Sequence, residues 1–274
     1  MKAIVIAAGM SIRLRPYTDN LPKCLLKING KSILQNMFEI FRKNGISDIS
    51  VIKGYKKEKI NYNDITYFEN TDFINNNILH SLMYARPKLE EAIRNKEDVV
   101  ISYSDIVYEN FIVEKLLESD EPLSGVVDLE WQEYYDGRTL HPMSQAEKVI
   151  LESNNMKDMK NNYMKKIGKH LDTKINNGEI IGEFIGLWKF THQGAKIFLK
   201  HFDRLNSSLK MTQQFQNAKE WQKSYITDIF QEMIDNGEKL HCVVVKKGWK
   251  EFDTVQDFHN VGGEPPEGVE KVEI

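Results

Sequence analysis

Short apolar runs recur along this chain with helix-length amphipathic stretches between them: AIVIAA near the N-terminus, then ISDISVIKGY, EDVVISYSDIV, PLSGVVDLEW, GEFIGLWKF and KLHCVVVKKG. Strands covered on both faces are apolar throughout, and strands alternating with helices build an α/β fold around a mostly parallel sheet with helices on both faces. The first intervening stretch, KSILQNMFEIFRKNG, puts Ile33, Leu34, Met37, Phe38 and Phe41 on one helical face and stops at Gly45, a helix C-terminal signal. Ile112, Val113, Leu116 and Leu117 offer a similar face after the third run, and Tyr225 to Asn236 reads as a further packing helix closed by Gly237. From about Gln132 to Gly178 regular apolar spacing gives way to Lys, Asn and Met, which reads as an insertion or lid over a sheet edge. The expected organisation is one domain over 1–274 with an insertion at about 132–178.

Composition removes several classes of function. With 41% hydrophobic and 28% charged residues the 274-residue chain can bury one large core and is too apolar for disorder. Lys and Arg total 37 against 40 for Asp and Glu, a net charge of -3, so no broad basic face exists for a nucleic-acid backbone. Cys24 and Cys242 are the only cysteines, too few for a disulfide scaffold or a four-cysteine zinc site, which points to a reducing cytoplasm. The apolar start runs into Arg13 and Arg15 rather than a cleavage site, and no segment approaches the roughly 20 apolar residues of a membrane span. A soluble protein with a small-molecule partner is expected.

In an open parallel sheet a ligand sits beyond the carboxyl ends of the strands, so the loop after the first run, AAGMSIRLRPYTDNLPKCLL, is the first place to look. Ala7, Ala8 and Gly9, with Met10 beside them, let backbone N–H groups approach an anion, and Arg13 and Lys23 add two positive charges, a combination suited to a triphosphate. A dinucleotide fingerprint is excluded because Ser11 and Leu14 stand where its glycines belong. Gly30-Lys31-Ser32 only imitates the end of a Walker A loop, since Leu25 occupies the position of the required earlier glycine. Carboxylates that hold Mg²⁺ belong at strand ends, and Asp105 after VVISYS and Asp253 after VVVKKGWKEF both lie there.

The string AAGMSIRLRPYTDNLPKCLLKINGKSIL resembles the N-terminal signature of sugar-phosphate and phosphocholine-type nucleotidyltransferases, A-A-G-x-G-[ST]-R-L followed by P-K, with Ser11 and Ile12 as its departures. That resemblance implies the nucleotide-diphospho-sugar transferase fold, with Lys23 and Arg13 as catalytic residues and Mg²⁺ held by Asp105 and Asp253. NTDFINNNILHSLMYA resembles the N-x-x-x-S-L pattern of cytidylyltransferases, which implies CTP, with Asn77 and Ser81 reading the base and Lys53, Gly54 and Tyr55 lining the same pocket. VVDLEWQEYYDGRTLHPMSQAEKV and GEFIGLWKF are similar to segments of phosphonate-activating enzymes. They imply an acceptor site in which Arg138 and His141 bind a phosphonate or phosphate, Asp128 holds a second metal or an acceptor ammonium, and Glu183 contributes. KGYKKEKI and KGWKEFDT are also similar to enzymes that cytidylylate phosphorylated amino acids for cell-surface decoration. The expected partners are therefore CTP and a small phosphonate or phosphate acceptor, with no nucleic acid and no membrane; a homodimer stays open. A hexose 1-phosphate transferase using UTP or dTTP is the alternative within the class, and a catalytically silent nucleotide-sensing subunit the alternative outside it.

Overall fold

The computed structural model describes residues 1–152, 162–169, 171 and 179–273. The first apolar run forms β1 (Lys2–Ala7), buried at every position. Side chains alternate across a strand, so Ile4, Ile6 and Ala8 enter one core cluster while Ala3, Val5 and Ala7 enter another on the opposite face. Each fully buried Val or Ile here is worth about 1.5–3 kcal/mol relative to exposure. Flanking β1 in parallel are β2 (Asp48–Lys53) on one side and the strand Val99–Tyr103 on the other.

Between β1 and β2 lies α1 (Ile33–Lys43), whose predicted apolar face is buried. Ser32 and Gln35 form a reciprocal capping box at its start, at 3.1 and 3.0 Å, and Gly45 follows its end with φ 77°. The chain continues through β3 (Ile65–Glu69), the single-turn α2 (Ile78–Leu82), α3 (Arg86–Asn95) and β4 (Val99–Tyr103). Residues Ala7, Lys53 and Tyr103 end β1, β2 and β4 side by side, which gathers the loops that follow them on one edge.

The rest of the chain alternates β5 (Ile106–Tyr108), α4 (Asn110–Leu117), β6 (Leu123–Asp128), β7 (Lys148–Leu151), β8 (Met164–Gly168), β9 (Ile181–Phe190), α5 (His192–Ser208), α6 (Ile226–Asp235), β10 (His241–Val245), β11 (Trp249–Glu251) and α7 (Val255–Asn260). The main sheet runs β10-β6-β9-β4-β1-β2-β3, with the β7-β8 pair lying along the first half of β9. It is mixed: β9 is antiparallel to β4, β6 and β7. The α/β expectation therefore holds, with an antiparallel centre that apolar runs alone cannot distinguish from a parallel one. Inside 132–178, read from sequence as irregular, the described residues include β7 and β8; residues 153–161, 170 and 172–178 of that stretch lie outside the described residues. No helix among the described residues is long and apolar enough to cross a membrane.

Two local features shape the edge where the loops gather. A separate two-stranded sheet pairs β5 with β11 and sets Glu251 opposite Ile106, so the late chain returns beside the end of β4. In β9 the register shifts between Phe184 and Trp188, and Gly186 sits there with φ 79° and its α-carbon against the Tyr103 ring. A Cβ at Gly186 would lie 2.3 Å from Tyr103 Cδ2 in a backbone conformation that disfavours one. We expect Gly186→Ala to lose about 1–3 kcal/mol, seen as a lowered urea midpoint with an unchanged slope.

Candidate active site

The loop after β1 is held open by its own backbone chemistry. Ser11 adopts a left-handed φ of 48°, the conformation the resemblance assigns to glycine, and its carbonyl accepts a hydrogen bond from Thr18 Oγ1 at 2.9 Å. Behind the loop, Gly54 lets β2 come close, since a Cβ there would sit 2.7 Å from the Ala8 carbonyl oxygen. Tyr55 N donates to that same oxygen at 3.0 Å, and the Tyr55 hydroxyl lies 2.9 and 2.8 Å from the carbonyl oxygens of Thr18 and Asp19. Tyr17 braces the far side: its hydroxyl lies 2.9 Å from His259 Nε2 and accepts from Val272 N at 2.9 Å. The resulting cavity, about 200 Å³, is lined by Ala7, Ala8, Gly9, Ser11, Lys23 and Ser81, among others.

Lys23 is almost fully buried, and its ammonium contacts Asp253 Oδ1 at 2.6 Å and Asp105 Oδ2 at 3.3 Å. Arg13 closes on the other oxygen of Asp253 and donates to Gln145 Oε1 at 2.8 Å. Burial opposes the charge on Asp253, but Lys23 and Arg13 overcome it and hold the carboxyl well below its usual range. For Lys23 the same contest ends with the ammonium pushed above its ordinary value by Asp105 and Asp253, so it stays charged. Cys24, next to it, is buried, and burial pushes its thiol up to about 12. The four residues Arg13, Lys23, Asp105 and Asp253, far apart in sequence, therefore meet at one point.

A second cavity of about 280 Å³ adjoins the first and shares Asn77, Ile78 and Asp105 with it. Its walls carry His141, Glu147, Glu183 and Glu251 together with Tyr103 and Tyr225. Single ligand atoms of His141, Glu251 and Asp253 come within 4.8 Å of one another. Burial, then repulsion from Asp253 and Asp105, pushes Glu251 well above the carboxylate range. Sequence reasoning named neither Glu251 nor Glu147. The signal for Glu251 was present, since it stands two residues before Asp253 and side chains in an extended segment share a face at that spacing. The most voluminous cavity, about 770 Å³ between α1 and β11, touches none of the candidate site residues.

Several sequence expectations are corrected by these contacts. Asp128 is fully buried inside the fold, its oxygens accepting from Trp249 Nε1 at 2.8 Å and from the backbone N–H groups of Glu130 and Lys247 at 2.9 and 3.0 Å, and it lines neither cavity. Arg138 is committed to Asp257 at 2.7 Å and lies 2.6 Å from His141 Nδ1, outside both cavities, which removes it as a free anion receptor. His141 does line the second cavity. Lys53 stacks over Tyr67 at 4.4 Å and Tyr55 braces the loop, so both support the first cavity from behind instead of lining it. Asn77 lines both cavities, but its side chain caps α2 at Ile78 N and donates to Lys223 O, while Ser81 is bonded to Asn70 and Asn76. Both side chains thus have partners within the fold, Asn77 as the cap of α2. Trp131, Trp188 and Trp249 are buried packing residues.

Small residues at the end of a parallel strand, with a buried lysine between two carboxylates, agree with the nucleotidyltransferase signature that the first loop resembles. The MobA-like NTP transferase domain matches residues 3–155, and the chain belongs to that family. It is 30% identical over 263 residues to the CTP:phosphoglutamine cytidylyltransferase of Campylobacter jejuni, covering 94% of this chain and 98% of that one. A 2-aminoethylphosphonate cytidylyltransferase of Lancefieldella rimae is 33% identical over 107 residues, 36% of this chain and 44% of the other. The solved CTP:phosphocholine cytidylyltransferase of Streptococcus pneumoniae has the same fold, with a TM-score of 0.68 over 95% of this chain and 97% of that one at 19% identity.

The Arg138 correction has a measurable consequence. Burial works against the Asp257 carboxylate, and His141 and Arg138 hold it below its ordinary range. Removing the guanidinium leaves a buried carboxylate without its main counter-charge. Arg138→Met is expected to cost about 3–5 kcal/mol of folding stability in urea titrations, a loss that an acceptor-binding surface arginine would not show.

Proposed function

We propose that the protein transfers CMP from CTP to a small acceptor bearing a phosphate or phosphonate, releasing pyrophosphate. The observation that carries this reading is the meeting of Lys23, Arg13, Asp105 and Asp253 between two adjoining cavities, one walled by small residues and one by carboxylates and aromatic rings. The reactions in the names of the relatives from Campylobacter jejuni and Lancefieldella rimae support CTP as the donor and a phosphorylated or phosphonate acceptor.

In this mechanism an acceptor oxygen attacks the α-phosphorus of CTP, a P–O bond to the acceptor forms, the bond to the β-phosphate bridge breaks, and pyrophosphate leaves with the electron pair. A phosphate monoester whose second pKa is about 6 is already largely dianionic at neutral pH, so no side chain has to remove a proton. Catalysis then reduces to positioning and charge. The first cavity takes the nucleotide, with backbone N–H groups of Ala8, Gly9 and Met10 close to the phosphates. Lys23 meets the charge that builds on the α-phosphoryl group, and Arg13, half exposed at the mouth, meets the pyrophosphate.

The residues fit Mg²⁺. Asp105 Oδ1 is buried without a hydrogen-bond partner among the described residues, and Asp105, Glu251 and Asp253 supply the hard oxygen donors the ion prefers. When bound, Mg²⁺ would offset the triphosphate charge.

Two experiments test this reading. Pyrophosphate release should require a divalent cation, stop with excess chelator, and favour CTP over UTP, dTTP and ATP. Preference for UTP or dTTP with a hexose 1-phosphate, or no release from any nucleotide, would reject it in favour of the other transferase or of a silent binding subunit. Lys23→Ala is expected to lower kcat about a thousandfold while circular dichroism shows a folded chain; near-normal turnover would remove Lys23 from the mechanism.

A further inference from the structure

Glu183 presents a contact that none of the described residues completes. It is 3% exposed, it lines the second cavity, and its Oε1 accepts a hydrogen bond from the Tyr135 hydroxyl at 2.5 Å. Its Oε2 is buried with no hydrogen-bond partner among the described residues. A buried carboxyl oxygen left unmatched is costly, and a chain keeps such an oxygen where something else satisfies it. Glu147 stands beside it, joined through the Phe184 N–H to Glu147 carbonyl bond at 2.8 Å. Among the described residues the Glu147 carboxyl meets the Tyr103 hydroxyl at 3.2 Å and the Lys169 ammonium at 3.7 Å. The Glu183 end of this wall is thus richer in acceptors than in donors.

Cationic ligands are held in two ways, by N–H donation to carboxylates or by stacking of methylated nitrogen on aromatic faces. Here the tyrosine rings near the cavity are already engaged. The Tyr225 ring is covered by the Lys169 ammonium at 4.4 Å, and the Tyr135 ring by the Arg138 guanidinium at 4.7 Å. Tyr103 is engaged edge to face with Phe184 and Trp188, and Gly186 packs against it. The carboxylate route is open at Glu183 Oε2.

We infer that Glu183, with Glu147 beside it, binds the protonated primary amine of the acceptor, so that among amine-bearing phosphates and phosphonates this protein selects those whose nitrogen still carries N–H groups over quaternary ammonium. This rests on the cytidylyltransferase reading for the acceptor's other end, which must reach the Lys23 knot. Burial raises the Glu183 carboxyl to about 8, and a cation seated beside it would favour the ionised form. An amine seated on Oε2 supplies that cation and the missing donor together.

Three acceptors of one length separate charge from donation: phosphoethanolamine has both, phosphocholine keeps the charge without N–H, and ethyl phosphate has neither. With CTP and Mg²⁺, kcat/KM for phosphoethanolamine should exceed each of the others about tenfold or more, because a site built to hydrogen-bond a group rejects analogues lacking it. In Glu183→Gln that ratio should collapse. Glu147→Gln should reduce it as well, which covers failure of the first variant to fold. Calorimetric titration of the wild type with phosphoethanolamine and phosphocholine, without nucleotide, reads the same preference without turnover. Equal or better use of phosphocholine overturns the inference and leaves CMP transfer standing. No pyrophosphate from any acceptor, with selective phosphoethanolamine binding in the calorimeter, overturns the transferase reading and supports the amine site. Loss of both turnover and selective binding overturns both.

Discussion

Asp253 is the residue on which the site's geometry depends. Its two oxygens are shared between Lys23 and Arg13, so one carboxylate fixes both ends of the loop that follows β1. Those partners are separated from it by 230 and 240 residues, which ties the beginning of the chain to the segment that follows β11. The tie is possible because β11 pairs with β5 immediately after Asp105, and Phe252 N reaches the Asp105 carbonyl at 3.4 Å. Without a bound nucleotide the positive groups are neutralised by carboxylates. The loop is therefore preorganised around charges that a phosphate can take over, and little backbone rearrangement is required of it.

Asp257 extends this arrangement outward. It accepts from the backbone N–H groups of Asp253 and Thr254 at 3.1 and 2.9 Å and from Arg138 at 2.7 Å. In this way α7 fixes the backbone that carries Asp253, and Arg138 fixes the segment bearing His141 against it. Asp128 does the same for β11 through the Trp249 indole. Arg138 and Asp128 look like ligand groups in the sequence and serve as struts in the fold.

What could be read from sequence divides along this line. The strands, the main helices and the residues Arg13, Lys23, Asp105 and Asp253 were legible because apolar runs mark the sheet and ligand loops follow its carboxyl ends. The fates of Arg138 and Asp128 were not, since their partners Asp257 and Trp249 stand 119 and 121 residues away and no local pattern announces them. Asn77 was read as a base contact, and the ordinary role of asparagine before a helix, capping, prevails. Strands β7 and β8 escaped because they are short and lie in a polar stretch. Glu251 needed only the two-residue period of an extended segment applied to the motif already in view.

The support given by Tyr17 changes how the last residues should be regarded. The amide of Val272 and the ring of His259 both end on the Tyr17 hydroxyl, within the same loop that presents Arg13. Residues around Val272 are therefore part of the scaffolding of the loop after β1, although they lie in a turn-rich segment. A tag or cut placed there would be felt at the mouth of the first cavity, and an affinity handle is better attached elsewhere.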